Sequence, residues 1–544
     1  MQFNVRPYVC GALGRIDTAM LGKLAAAGPK VRPALQTGEA ALFSSTPLPP
    51  YHRAGGAFAF SWGERKPAGP DDWMAVAETY ETPGLIGDGH RVTLHTGALG
   101  LVDVYYVRHG DAVYFSSLIQ PLLSLVPIEI DWAAWASIIQ ATFPMGEATP
   151  YTEVKRLPGS SALVFEHDRP MIERRLPRWL RTEPYEAWIS PHEIVELLHD
   201  VYAGYEGRKL LVPVSGGYDS RLLASVAQAR GADVESWTTS PDDGTDTDIA
   251  FAQSITRELG IPHRMITQDA ADYPADAADV ARRLEYLTPH HAWYAPFAKE
   301  VHGSGRMLID GLAGGPLLKN FMVSGAALEA RTQAERSAAV LRSLSLGAPS
   351  QPFLSKAAAE WMEETVREQF LAATSMLHGH RAELPLSVLH TRTVRGIARS
   401  VVNLVGPEAS FAAPFIHPGF FDAALSVGVA RKDKGRFYRE VLYAANPRVA
   451  ALPSTNVVKQ PLRRVPLRST AVPARNYSHR MLETLVSRVP SLLSDELHEV
   501  VAGGPDALTR FNGWNDRFWV RGLVLFGLWL SDFENDLSDV APPF

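Results

Sequence analysis

The stretch from Lys209 to Asp269 constrains the architecture of this chain more than any other. LLVPVSGG is a short apolar run that stops at a glycine pair, and SRLLASVAQARG continues with helical spacing and closes on Gly231. DVESWTTS, the helix DIAFAQSITRELG ending at Gly260, and PHRMITQD then repeat the pattern. Short apolar runs alternating with helices at this spacing predict right-handed crossovers and a parallel sheet. RMLIDGLAGG (306–315) adds a strand ending in a glycine-rich turn, and the pattern from there to about residue 535 is mostly helical.

The first 180 or so residues read differently. GAFAFSW (56–62), RVTLHTG (91–97), DVYYVRHG (103–110) and AVYFSS (112–117) gather β-formers between glycines, and RLPGSSALVFEHD (156–168) reads as a turn and a strand. RTEPYEAWISPH (181–192) is polar and proline-bearing and reads as a linker. A helix begins near Pro191, with apolar spacing through Ile194, Leu197, Leu198 and Val201. The expected class is α/β, with a β-rich domain over 1–182 and an α/β domain with a helical tail over 190–544.

Composition removes several classes. A net charge of −6 provides no basic field for nucleic acid or an acidic membrane. The single cysteine, Cys10, excludes a disulfide framework and any cysteine-based metal cluster, and reads as a small buried apolar side chain. The N-terminus lacks the basic-then-apolar signature of a signal peptide, and the most apolar run, Phe518 to Leu530, contains Arg521 and reads as a buried helix. A cytoplasmic location is the expectation.

The densest chemistry lies in Val214-Ser215-Gly216-Gly217-Tyr218-Asp219-Ser220, between an apolar strand and a helix. Two glycines let the backbone close around an anion, Ser215 and Ser220 offer hydroxyls, and the N–H groups of the following helix face negative charge. Asp219 has the wrong sign for a phosphate unless it holds a magnesium ion. The G-x-x-x-x-G-K-[ST] pattern is absent. ESWTTS (235–240) ends beside this loop, with Thr238 and Thr239 near the strand's end.

SGGYDS resembles the PP-loop of ATP pyrophosphatases, which split ATP between the α and β phosphates. SGGYDS, ELGIPH preceded by Asp248, IDGLAGGPLL, APFIHPGFFDAAL, KGRFYREVLY and LPSTNVVKQPL stand in the order of asparagine synthetase-like enzymes. LGLVDVYYV, VYFSSLIQPLL, IDWAAW and LPGSSALV resemble that superfamily's glutaminase domain. The resemblance covers nearly the whole chain. It implies an N-terminal Ntn-hydrolase-like sandwich and a C-terminal parallel-sheet PP-loop domain. Where the family draws ammonia from glutamine it uses an N-terminal cysteine; this chain begins Met1-Gln2, so the resemblance implies a silent glutaminase half.

Within the superfamily the pattern is most like lasso peptide cyclases, with β-lactam synthetase-like and asparagine synthetase-like enzymes or a non-catalytic binding relative as alternatives. The resemblance implies ATP and Mg2+ as cofactors, with Val214, Ser215, Gly216, Gly217, Asp219, Ser220, Thr238, Thr239, Asp310 and Gly311 at the nucleotide. It implies Asp219 and Asp310 as metal ligands, although Gly315 stands where an aspartate is usual. Lys459 is expected beside the α-phosphate, catalytic together with Asp219. Lys434 and Arg439 are either structural or phosphate-adjacent. His290 and Trp293 line a substrate pocket in this reading, or His290 is a core histidine beside His291. His390, Arg392, Arg395 and Arg399 either hold an acidic or peptide substrate or form an exposed basic helix face. The implied partners are a lasso precursor core peptide, a leader peptidase and a leader-recognition protein, with no nucleic acid and no membrane.

Overall fold

The computed structural model describes residues 2–3, 6–50, 52–54, 57–62, 82–87, 90–166, 169–174, 177–181, 188–345, 352–458, 462–537 and 540–544. Lys459 and the centre of the expected linker, 182–187, lie outside the described residues. The chain is mixed α/β, with two antiparallel six-stranded sheets and a third sheet whose inner strands are parallel.

The antiparallel sheets form a sandwich. One runs in the order Lys155–Arg156, Tyr105–His109, Ala112–Ser116, Val9–Gly14, Ala40–Ser44, Arg32–Gln36. The other runs Arg169–Arg174, Ser161–Glu166, Arg91–His95, Gly84–Gly87, Ala57–Ser61, His52–Ala54. Strand periodicity sorts the side chains of the first sheet. Val9, Leu13, Val113 and Phe115 face the second sheet together with Phe60, Leu85, Leu94 and Leu163. Cys10, Ala12, Ala112 and Tyr114 face away and pack with helical residues such as Trp135, Phe526 and Trp529. Both faces of this sheet are buried, which is why AVYFSS reads as a continuous apolar run instead of alternating. Cys10 is fully buried, and burial pushes its thiol up to about 11, so it is a packing group.

The third sheet runs Gln2–Phe3, Phe411–Ala412, Met307–Ile309, Leu210–Leu211, Val234–Thr239, His263–Ile266. The expected three strands and the fourth are present and mutually parallel. Gln2–Phe3 pairs antiparallel with Phe411–Ala412, so the chain touches this sheet before it builds the sandwich. The central strand, Leu210–Leu211, has its sequence successor on one side and Met307–Ile309 on the other. The connection reverses direction there, and in open parallel sheets such a switch point opens a crevice at the carboxyl ends of the strands.

The helical remainder joins the two halves. Leu389–Ile397 and Ser400–Val405 wind with wide π-helical turns rather than presenting the basic face that a 3.6-residue spacing suggests. Arg395 and Arg399 are almost wholly buried. Arg399 pairs with Asp103, which also accepts a hydrogen bond from Arg156 at 2.8 Å. The two arginines hold the Asp103 carboxyl down at about 2 despite its burial. Among the described residues no helix is long and apolar enough to cross a membrane.

Candidate functional site

At the switch point the strand Leu210–Leu211 leads through Pro213 into Ser215-Gly216-Gly217, and the helix Tyr218–Ala229 starts immediately after. Gly217 caps that helix without a side-chain bond to its first turn. Each loop amide is met by an oxygen of the chain: Ser215 N–H donates to Ser220 Oγ at 2.9 Å, Gly216 N–H to Asp248 Oδ1 at 2.9 Å, and Gly217 N–H to Ser215 Oγ at 3.2 Å. These bonds give the loop a fixed, cradle-like shape, and the first-turn N–H groups of the helix that follows, which no side chain caps, are the donors it offers to an anion. The glycine at 216 is required by space, since a Cβ there would lie 2.6 Å from Thr455 Cγ2 and 2.8 Å from Asp248 Oδ1. Burial raises the Asp248 carboxyl above its ordinary range.

Arg221, which the sequence reading passed over, fixes the cradle. Its buried guanidinium donates to the carbonyls of Gly216, Gly217, Val449, Leu452 and Pro453 at 2.8–3.2 Å. It thereby ties the loop to the segment that carries Ser454, Thr455 and Asn456. Ser454 Oγ and Thr455 N–H also donate to Gly216 O, at 2.8 and 3.0 Å. A single arginine inside a helix signals no such role by itself; only the fold brings five carbonyls to it.

The cradle opens into a cavity of about 510 Å³. Val214, Ser215, Gly217, Asp219, Ser220, Thr238, Thr239, Asp310, Gly311, His290 and Trp293 all line it, so eleven residues spread over the sequence meet with Arg392 in one place. Gly216 sits just behind the cradle, and Arg395 does not line the cavity. Instead Arg395 donates to Pro144 O at 3.2 Å and Ala148 O at 2.6 Å, which corrects its expected role in substrate binding: it is a packing cation between the sandwich and the helices. Thr238 spends its hydroxyl on Val214 O at 2.6 Å and on His263 Nε2 at 2.9 Å. Thr239 Oγ1 accepts from Gln268 Nε2 at 2.5 Å, and Gln268 also holds Trp293 O at 2.7 Å. His290 bonds Thr142 Oγ1 at 2.8 Å and His291 bonds Gly396 O at 3.1 Å. Burial lowers both imidazoles, His291 to about 4, so both are neutral near pH 7. Lys434 adopts a left-handed backbone (φ 50°) and its carbonyl accepts from Arg439 at 3.0 Å; neither residue lines the cavity.

The acidic end of the cavity is built differently from the expectation. Tyr438 Oη donates to Asp219 Oδ1 at 2.7 Å, and Lys319 Nζ lies 3.9 Å from Asp219 Oδ2. Lys319 donates to Asn456 Oδ1 at 2.7 Å and lies 5.6, 5.6 and 5.9 Å from the ring centres of Tyr218, Phe321 and Tyr438. Gly311 and Gly314 allow this packing, because a Cβ at either would fall within 2.9 Å of Asp219 atoms. Asp310 Oδ1 accepts from Leu312 N–H at 2.8 Å, and burial, with Asp219 nearby, raises its carboxyl to about 6. Gly315 brings no acid and faces Phe321 and Lys319.

Among the described residues no group of three or more histidine, cysteine, aspartate or glutamate side chains is arranged to hold a metal ion. Asp219 is engaged by a hydroxyl and an ammonium, and Asp310 by an amide in a desolvated site. Two carboxylates, Asp219 and Asp310, border one cavity, and a magnesium ion is commonly held by one or two carboxylates together with nucleotide phosphates and waters, so this pair fits a metal that arrives with its nucleotide and not an all-protein cage. No family model matches the chain, and no curated protein sequence does either.

Proposed function

We propose that the chain is an ATP-dependent, AMP-forming amide ligase that activates a carboxylate as an acyl-adenylate and passes it to an amine. In its most specific form the reading is a lasso peptide cyclase. It adenylates an Asp or Glu side chain of a precursor core peptide, and the peptide's own N-terminal amine closes the macrolactam, releasing AMP and pyrophosphate. The antiparallel sandwich is then a silent glutaminase-like (Ntn-type) domain, and the parallel-sheet half is the PP-loop domain. A leader peptidase and a leader-recognition protein are the implied partners.

One observation carries the reading: a glycine-pair loop leads into a helix N-terminus without a side-chain cap, beside a cavity at the switch point of a parallel sheet. That arrangement suits a polyphosphate. Magnesium enters this scheme as the counter-ion of the nucleotide. The chain's own contribution is to hold amine and acyl group together in a shaped cavity, and orientation of this kind removes several kcal/mol of barrier. A lysine beside Asp219 and the glycine at 315 favour a second reading, a binding relative that keeps the fold without turnover. Incubation of the protein with Mg-ATP and candidate core peptides, followed by mass spectrometry, separates the two. The ligase reading expects AMP and a product lighter by one water; ADP in place of AMP removes it.

A further inference from the structure

Besides Lys319 the cavity wall carries an arginine, Arg392, that has no acidic partner among the described residues. Arg392, on the wide helix Leu389–Ile397, lines the cavity. Its guanidinium carbon lies 5.3 Å from the ring centre of Phe321, and Lys319 Nζ lies 5.6 Å from the same centre. One aromatic ring thus carries two positive charges. Lys319 is answered by Asp219 and Asn456. Arg392 forms no ion pair among the described residues, and burial alone lowers its guanidinium, to about 10.

No salt bridge joins it to an acidic side chain among the described residues. His290 and His291, neutral through burial, each feel its charge, and the adjoining wall is aromatic, from Trp293 and Phe518. Of the two other cavity arginines, Arg517 and Arg521, the second is bonded to Asp242 and Ser469 at 3.3 and 2.9 Å. Arg392 is half-buried at the cavity wall, and a planar carboxylate matches its fork of donors.

We propose that Arg392 seats a carboxylate of the acyl substrate other than the one that is activated. The inference rests on the ligase reading for the word "activated". Adenylation turns the reacting carboxylate into a neutral acyl group, so a guanidinium paired with it would stabilise the ground state more than the transition state. A charge that persists through the reaction is the partner Arg392 can hold without that penalty. The substrate class is therefore an acyl donor with at least two carboxylates, such as a peptide bearing a second acidic side chain or a free C-terminus.

Glutarate, its diamide and butyrate serve as probes on the full-length protein. Without nucleotide, glutarate is expected to raise the thermal midpoint and the diamide is not. Arg392→Met should weaken glutarate at least tenfold while leaving the ligand-free protein about as stable as wild type, since the methionine keeps the half-buried stem and no ion pair among the described residues is lost. Glutarate binding that survives unchanged in Arg392→Met overturns the seat. A fall in the ligand-free midpoint of Arg392→Met also overturns it, by revealing a structural arginine. In ATP–pyrophosphate exchange, glutarate should support the reaction and butyrate should not. Equal exchange with butyrate overturns the persistent-carboxylate assignment. Arg392-dependent glutarate binding without exchange by any probe upholds the seat and counts against the adenylation reading instead. Replacing a candidate peptide's acidic side chain by its amide, or its C-terminus by a carboxamide, then tells which carboxylate is held.

Discussion

Arg221 offers the sharpest test of how the site is assembled. Replacing it by methionine keeps the buried stem and removes five donated hydrogen bonds to main-chain carbonyls. Not every acceptor is orphaned. Gly216 O keeps Ser454 Oγ and Thr455 N–H, and Val449 O keeps the amide of Leu452. Leu452 O and Pro453 O have only Arg221 among the described residues, but both lie in a segment that is only partly buried. Removing a partner from a buried charged network costs ~3–5 kcal/mol, and the remaining donors put this case at the low end, about 3 kcal/mol. The loss falls on the tie between the loop and the Ser454–Asn456 segment, so the cradle loses its fixed shape as well as stability. Urea unfolding followed by tryptophan fluorescence should register the destabilisation, and titration with a fluorescent ATP analogue should register affinity at least tenfold weaker. Arg221→Lys restores part of the stability at most, because one ammonium cannot span five carbonyls. A methionine variant within 0.5 kcal/mol of wild type, on the threshold of ordinary surface substitutions, with unchanged nucleotide affinity would refute the reasoning.

Asp219→Asn removes the charge that answers Lys319 and is expected to lower AMP formation at least 100-fold, read by pyrophosphate release; undiminished release would dismiss the carboxylate from the site's chemistry. Asp103→Ala leaves Arg156 and Arg399 as facing buried cations and should cost ~3–5 kcal/mol in unfolding free energy, whereas a neutral result would mean that the cluster does not join the halves. Glu285 accepts from the amides of Ile119 and Gln120, and burial raises its carboxyl to about 8. Between the ordinary glutamate value near 4.5 and that raised value, the folded form keeps a proton that the unfolded chain has lost. Stability should therefore fall as pH rises through this window, with a slope approaching about 1.4 kcal/mol per unit, and Glu285→Gln should remove the slope. Parallel stability–pH curves for the two proteins would count against it.

What the sequence could determine by itself was local. Glycine pairs punctuating apolar runs, and apolar spacing that switches to the helical period, placed the strands and helices of the parallel sheet within a few residues, because turns and amphipathic faces are set by near neighbours. For the same reason SGGYDS was legible as an anion loop: its glycines, hydroxyls and helix start are contiguous. The rest depended on chain segments that meet only after folding. Arg221 reads as an ordinary helical residue until Val449–Pro453 is laid across it. Tyr438 and Asn456 give no sequence signal for Asp219 and Lys319, more than a hundred positions away in chain number. The arginines at 392, 395 and 399 look equivalent at helical spacing, yet the wide turns send the second into carbonyls and the third onto Asp103 while the first lines the cavity. Burial and pairing are properties of the packed interior, and spacing along one strand of sequence carries no information about which acid or carbonyl will arrive on the other side.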